Sequence, residues 1–240
     1  TCFNVSSQNL SETGLPYIQN YSPNNYKADS QNWAVVQSKE GFVYVGNNEG
    51  ILEYDGVSWR LIQLPNFSIA LSLAINAENR IYVGGKNELG YLEADALGKL
   101  QYVSLKKYLP KTNQEFQDIR SISIMENTIY FQSRDKIFQW NNEAFKILKP
   151  KIGFNFSKAI NGEIYVVQNN TIIRKLVDDK FEDVVNASSI KAQVIVDLIP
   201  YKENQLLVLT YKKGLFILKE GNFTPFNISS KKYLAENFAR

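Results

Sequence analysis

The sequence predicts an all-β protein, a β-propeller of four-stranded antiparallel blades. Two observations carry this: a β-rich segment recurs five times, and no stretch shows sustained apolar spacing at three and four residues. The clearest copy occupies residues 42–59, with looser versions at 80–92, 128–140, 163–174 and 205–218. Aligned on Tyr44, Tyr82, Tyr130, Tyr165 and Leu207, successive copies are 38, 48, 35 and 42 residues apart. A period near 40 in β-rich units is the signature of a propeller blade.

Each copy divides into four short strands. In the first, residues 32–37 read as an inner strand and Lys39, Glu40 and Gly41 as a turn. Residues 42–46, rich in β-branched and aromatic side chains, lead to the polar turn at 47–50, a third strand at 51–54 and the hairpin signal Asp55-Gly56. A fourth strand at 58–64 closes the unit. The same four parts recur over 71–105, 119–148, 156–185 and 194–226, with third hairpins at 96–99, 141–143, 178–180 and 220–222. The expected organisation is a polar spacer at 1–13, then a propeller over 14–240. Its blades fall at approximately 32–66, 70–110, 118–152, 155–188 and 194–227, with an incomplete sixth at 233–240, as part of a seven-bladed ring. One such sheet cannot bury its own apolar faces, whereas sheets stacked around an axis can.

Composition narrows the function classes. The 240 residues are 44% hydrophobic and 21% charged, with a formal charge of +3, ordinary for a globular domain. Lys212-Lys213 and Lys231-Lys232 are isolated pairs without an aromatic platform beside them, so nucleic-acid binding is not expected. No apolar stretch is long enough to span a membrane as a helix. The start at Thr1 and the Ser/Asn-rich stretch 4–13 read as a spacer behind a removed export signal, or as the edge of a fragment. Cys2, the sole cysteine, is either a signal-peptide remnant or a lipid-anchor site. Nine Asn-x-Ser/Thr triplets in an Asn-rich chain carry no weight.

The chain contains no histidine. That removes Ser-His-Asp and Cys-His nucleophiles and most zinc or iron sites. Carboxylate pairs such as Asp178-Asp179, Glu182-Asp183, or Glu49 with Glu53 remain conceivable as glycosidase or lyase machinery. The first pair, however, sits in a hairpin where turn geometry favours Asp, and Glu53 alternates outward on its strand. Calcium loops and Gly-rich phosphate loops are absent. The reading is therefore no catalytic residue, no metal and no cofactor, with the glycines at 46, 50, 84, 90 and 214 serving turns and strand ends.

The stretch 14–26, the pair Asn32-Trp33, the run 44–56 and Trp59 together resemble the N-terminal part of the periplasmic sensor propellers of Bacteroidetes-type regulators. That family is built from two-component-regulator propeller repeats, and the resemblance covers residues 14–240. It implies a downstream triple-tyrosine module, a transmembrane helix and a cytoplasmic output, either a histidine kinase or a helix-turn-helix transcription regulator. It also implies a periplasmic location, and a glycan fragment as one possible ligand. Trp33, Tyr44, Gly50, Tyr54, Asp55, Gly56 and Trp59 match the family pattern and are read as blade-forming, with Trp33 and Trp59 packing between adjacent sheets.

Strand alternation puts the loops between second and third strands on one face, with the links between blades. Candidate ligand contacts there are Asn47, Asn48, Lys86, Asn87, Glu88, Arg134, Asp135, Asn169, Tyr211 and Lys212. Their amide, charged and aromatic groups suit sugar hydroxyls and stacking. The leading expectation is a non-enzymatic sensor module binding an oligosaccharide or other small ligand, with homodimerisation left open. The alternatives are a protein-interaction scaffold and, third, a carbohydrate-active enzyme.

Overall fold

The computed structural model describes residues 18–186, 194–202 and 204–227. Five four-stranded antiparallel sheets follow one another along the chain, each a simple meander. The first holds β1 (Asn32–Gln37), β2 (Val43–Asn47), β3 (Gly50–Tyr54) and β4 (Trp59–Ile62). The second holds β5 (Ala70–Ile75), β6 (Ile81–Gly85), β7 (Glu88–Ala94) and β8 (Leu100–Ser104). The third holds β9 (Ser121–Met125), β10 (Thr128–Gln132), β11 (Ile137–Trp140) and β12 (Phe145–Leu148). The fourth holds β13 (Phe154–Ile160), β14 (Glu163–Gln168), β15 (Ile172–Val177) and β16 (Lys180–Asn186). The fifth holds β17 (Ile195–Tyr201), β18 (Gln205–Thr210), β19 (Gly214–Lys219) and β20 (Asn222–Pro225). The spacer at 1–13, with Cys2, and the incomplete blade at 233–240 lie outside the described residues.

The first strands neighbour one another in order, β1 to β5 to β9 to β13 to β17, which places them innermost and makes each sheet a blade. The second strands show how period-2 patterning assembles the stack. Tyr44, Tyr82, Tyr130 and Tyr165 each turn toward the following blade. Their strand neighbours Ile81 and Val83, Ile129 and Phe131, Ile164 and Val166, Leu206 and Val208 turn toward the preceding one. Four cores result, one at each blade junction. Phe131, for example, is fully buried against Tyr82 and the second blade, their ring centroids 6.2 Å apart.

Two glycines of the repeat serve close approach rather than turning. A Cβ on Gly46 would lie 2.8 Å from the Ala70 carbonyl oxygen, and one on Gly84 would lie 2.4 Å from both Ile119 Cγ2 and Ser72 Oγ. At each, the chain arriving at the next inner strand passes over the end of a second strand.

Three sequence expectations are corrected. Trp33 is not packed between sheets: 45% exposed, it faces the axis and donates its indole N–H to Asn48 Oδ1 at 2.8 Å. Trp59 stacks on Tyr54 at 4.6 Å and meets Tyr21 and Tyr26, so it packs against the lead-in segment rather than a neighbouring blade. That segment contains a short helix, α1 (Pro23–Tyr26), and the bond between the Tyr21 and Tyr54 hydroxyls, 2.6 Å, ties it to the outer half of the first blade. Glu53 does not point outward; its side chain is 13% exposed and ion-paired with Arg60 at 2.7 Å.

Candidate functional site

The face carrying the second-to-third-strand loops and the blade links is held by backbone hydrogen bonds between these two kinds of segment. Asn48 N–H donates to Gln31 O, Lys86 N–H to Ile69 O, Ile119 N–H to Gly85 O, Phe154 N–H to Arg134 O (2.7 Å) and Ile195 N–H to Asn170 O. Groups on this face are thus positioned by strand ends, which is what pre-organised binding requires.

The ten sequence-predicted residues divide on it. Asn47 is fully buried, its amide donating to Asp29 O, Gln31 O and Asn32 Oδ1, and its Oδ1 accepting from Glu49 N–H. Asn48 holds Trp33. Asn87 bonds Glu115 and the Phe116 N–H. Glu88, 5% exposed, accepts from Tyr102 Oη at 3.0 Å and Ser104 Oγ at 2.9 Å. Burial first, and the Glu88 charge second, push the Tyr102 phenol well above its ordinary range. These four polar side chains are spent inside the fold. Lys86, Arg134, Asp135, Asn169, Tyr211 and Lys212 are exposed. Asp135 is engaged locally by Ser133 and Lys136, and Lys212 lies over the Tyr211 ring. Distributed over separate blades, they do not form one cluster.

Arg134 alone of the ten lines a cavity of about 470 Å³ at the junction of the third and fourth blades, within the roughly 300–1,000 Å³ typical of small-molecule sites. The others lining it are Gln117, Asp118, Arg120, Gln132, Phe154 and Asn155. Arg120 is anchored by its backbone N–H to Gln132 O at 3.1 Å and by an ion pair with Asp118 at 2.8 Å. Asn155 is braced by the fourth blade's loop, its Oδ1 accepting from Asn170 N–H at 2.7 Å. Gln132 is 1% exposed; its Nε2 donates to Ser133 O at 2.9 Å, and its buried Oε1 has no partner among the described residues. A buried acceptor left unpaired costs about 1–3 kcal/mol, so this carbonyl favours any donor brought to it.

Arg120 also borders a second space, about 1000 Å³, lying along the axis between all five first strands. Trp33, Ser121, Ser123, Phe156, Lys158 and Asp197 are among its lining residues, with Lys158 and Asp197 paired at 2.8 Å. A register irregularity interrupts β1 at Trp33, β5 at Leu71, β13 at Asn155 and β17 at Val196. Such bulges re-aim side chains, and Trp33, Asn155 and Val196 all line one of these two spaces. Among the described residues no group of three or more His, Cys, Asp or Glu is placed to hold a metal ion.

Sequence reasoning missed Arg120, Gln132 and Asn155. Gln132 left a trace: it occupies the repeat position filled by Gly46 and Gly84 in the first two blades. The bulge at Asn155 left none.

Five meandering sheets arranged around an axis define a β-propeller. No family model matches the chain, and no curated protein does; solved structures do. The chain is similar to the extracellular domain of a hybrid two component system from B. thetaiotaomicron, with 17% identity and a TM-score of 0.61 over 80% of this chain and 27% of that one. It is similar to virginiamycin B lyase from Staphylococcus aureus, with 13% identity and a TM-score of 0.64 over 82% of this chain and 70% of that one. The WD40 β-propeller domain of Doa1 matches with 12% identity and a TM-score of 0.62, over 82% and 68%. The chain thus spans about a quarter of the receptor domain. At these identities the likenesses establish the fold.

Proposed function

We propose that these residues form the ligand-sensing propeller of an extracytoplasmic receptor, and that they carry no catalysis. The observation that carries this is the cavity of Arg120, Gln132, Arg134 and Asn155 on the loop face, opening beside the axial space. The motif resemblance over residues 14–59 and the fold likeness to a two-component extracellular domain support it. On this reading the full protein continues into a triple-tyrosine module, a membrane span and an output domain. A bound ligand acts by preferring one arrangement of the receptor over another.

A lyase is the competing reading, since lyases are among the similar structures. In one of them, a variant in which alanine replaces a histidine is described as catalytically inactive. None of the 240 residues here is histidine, so that lyase's chemistry is not carried over.

The test is a thermal-shift screen of the purified chain against an oligosaccharide library. At a hundredfold excess over Kd a ligand stabilises by about 2.7 kcal/mol, or about 5–10 °C for a domain of this size. A hit whose shift shrinks in Arg134→Gln supports the reading. A library that shifts nothing, or turnover of any polysaccharide by the purified chain, would sink it.

A further inference from the structure

The cavity at the junction of the third and fourth blades has a chemistry more specific than hydrogen bonding to sugars. Its charged lining consists of two guanidinium groups and one carboxylate, and that carboxylate, Asp118, is already engaged by one of the arginines. The Arg134 side chain has no hydrogen-bond or ion-pair partner among the described residues, while its backbone is fixed through the Phe154 N–H. A planar guanidinium held at its base and free at its tip suits bidentate capture of a carboxylate. Beside it, the buried Gln132 Oε1 needs a donor. Two neighbouring arginines disfavour an ammonium, which leaves a neutral donor such as a hydroxyl. Phe154, 3% exposed, supplies an apolar wall.

We propose that this cavity binds an acidic saccharide through a uronate unit. Arg134, assisted by Arg120, takes the carboxylate and Gln132 Oε1 takes a ring hydroxyl, while Asn155, whose amide is bonded at both ends to Asn170, shapes the wall beside them. Arg120 borders both spaces, so the rest of the saccharide extends into the axial space. There Trp33, 45% exposed with its ring oriented by Asn48, is an aromatic surface for a second sugar. The proposal rests on the reading of this face as the ligand face and narrows the class of ligand.

The test is calorimetric titration with uronate di- and trisaccharides, each beside its carboxyl-reduced counterpart, on the wild-type chain and on Arg134→Gln and Gln132→Leu. The expected result is that at least one uronate binds and that its reduced counterpart binds at least tenfold more weakly. Arg134→Gln, at an exposed position that does not threaten folding, weakens the uronate at least tenfold and leaves the reduced form unchanged. Gln132→Leu weakens both. If a uronate and its reduced counterpart bind equally and Arg134→Gln changes neither, the acidic assignment is wrong and ligand sensing stands. The acidic assignment also falls, and ligand sensing stands, if neutral glycans bind and no uronate does. If no saccharide of either kind binds, both readings fall.

Discussion

Raising the pH above 10 should loosen the blade junctions through the four tyrosines of the repeat. Tyr44, Tyr82, Tyr130 and Tyr165 are 4%, 1%, 4% and 7% exposed, and each sits where one blade meets the next. Burial comes first among the causes that push every one of these phenols above the ordinary value of 10.0. Tyr44, with the Glu53 carboxylate as the second cause, reaches about 12. The unfolded chain releases these protons near pH 10 while the folded chain retains them. Their contribution is therefore complete below 10 and lost as the pH climbs through the folded values. For Tyr44 the rise corresponds to about 2–3 kcal/mol, a large part of a total stability of about 5–15 kcal/mol. The assay is the urea midpoint against pH from 8 to about 12 for wild type and Tyr44→Phe. Wild type should fall steeply above pH 10, and Tyr44→Phe should fall less. Parallel curves for the two proteins would show that the buried Tyr44 phenol does not drive the alkaline loss.

Three further outcomes follow from the packing and the turns. Gly84→Ala places a methyl 2.4 Å from Ile119 Cγ2 and Ser72 Oγ; overpacking of this kind costs about 1–3 kcal/mol, and an unchanged Tm would contradict the close approach. Phe131→Ala, at a fully buried position between the second and third blades, should cost about 3–5 kcal/mol in denaturant titration, whereas Phe67→Ala, 78% exposed, should cost far less. On the acid side, backbone N–H groups of Ser58 and Val57 hold Asp55 below its ordinary value. The Lys99 N–H does the same for Asp95 against the opposing effect of desolvation. Depressed carboxylates contribute stability that is present above about pH 4 and lost as the pH falls through their folded values. Asp95→Asn, which keeps the turn acceptor, should flatten the acid limb of the stability profile; an unchanged limb would mean that Asp95 contributes nothing to it.

The architecture was legible because a blade is a short-range object. Tyr44, Tyr82, Tyr130 and Tyr165 recur because the second strand of each of the first four blades turns a large side chain toward its successor, and that requirement is written at one position per copy. The loop face was legible too, since strand direction alternates. What stayed hidden depends on register and on long-range contact. A bulge shifts Asn155 into the cavity and Trp33 toward the axis, yet a one-residue change of register has no mark in composition. Asn47 and Glu88 looked like free polar loop groups, but their partners, Asp29 and Tyr102, come from other segments. Trp59 was assigned to a blade junction because the lead-in that covers it, through Tyr21 and Tyr26, shows no periodic pattern. Gln132 was the one recoverable signal, a large polar residue where two copies carry glycine.

Whether ligand meets the loop-and-link face between the third and fourth blades is decided by amide hydrogen exchange with and without a saturating saccharide hit. Exchange should slow at residues 117–120, 132–136 and 153–155, with the hairpin turns of the opposite face, 38–41, 76–80 and 141–144, unchanged. Protection confined to those opposite turns, with 132–136 unaffected, would place the ligand elsewhere and overturn the proposed site.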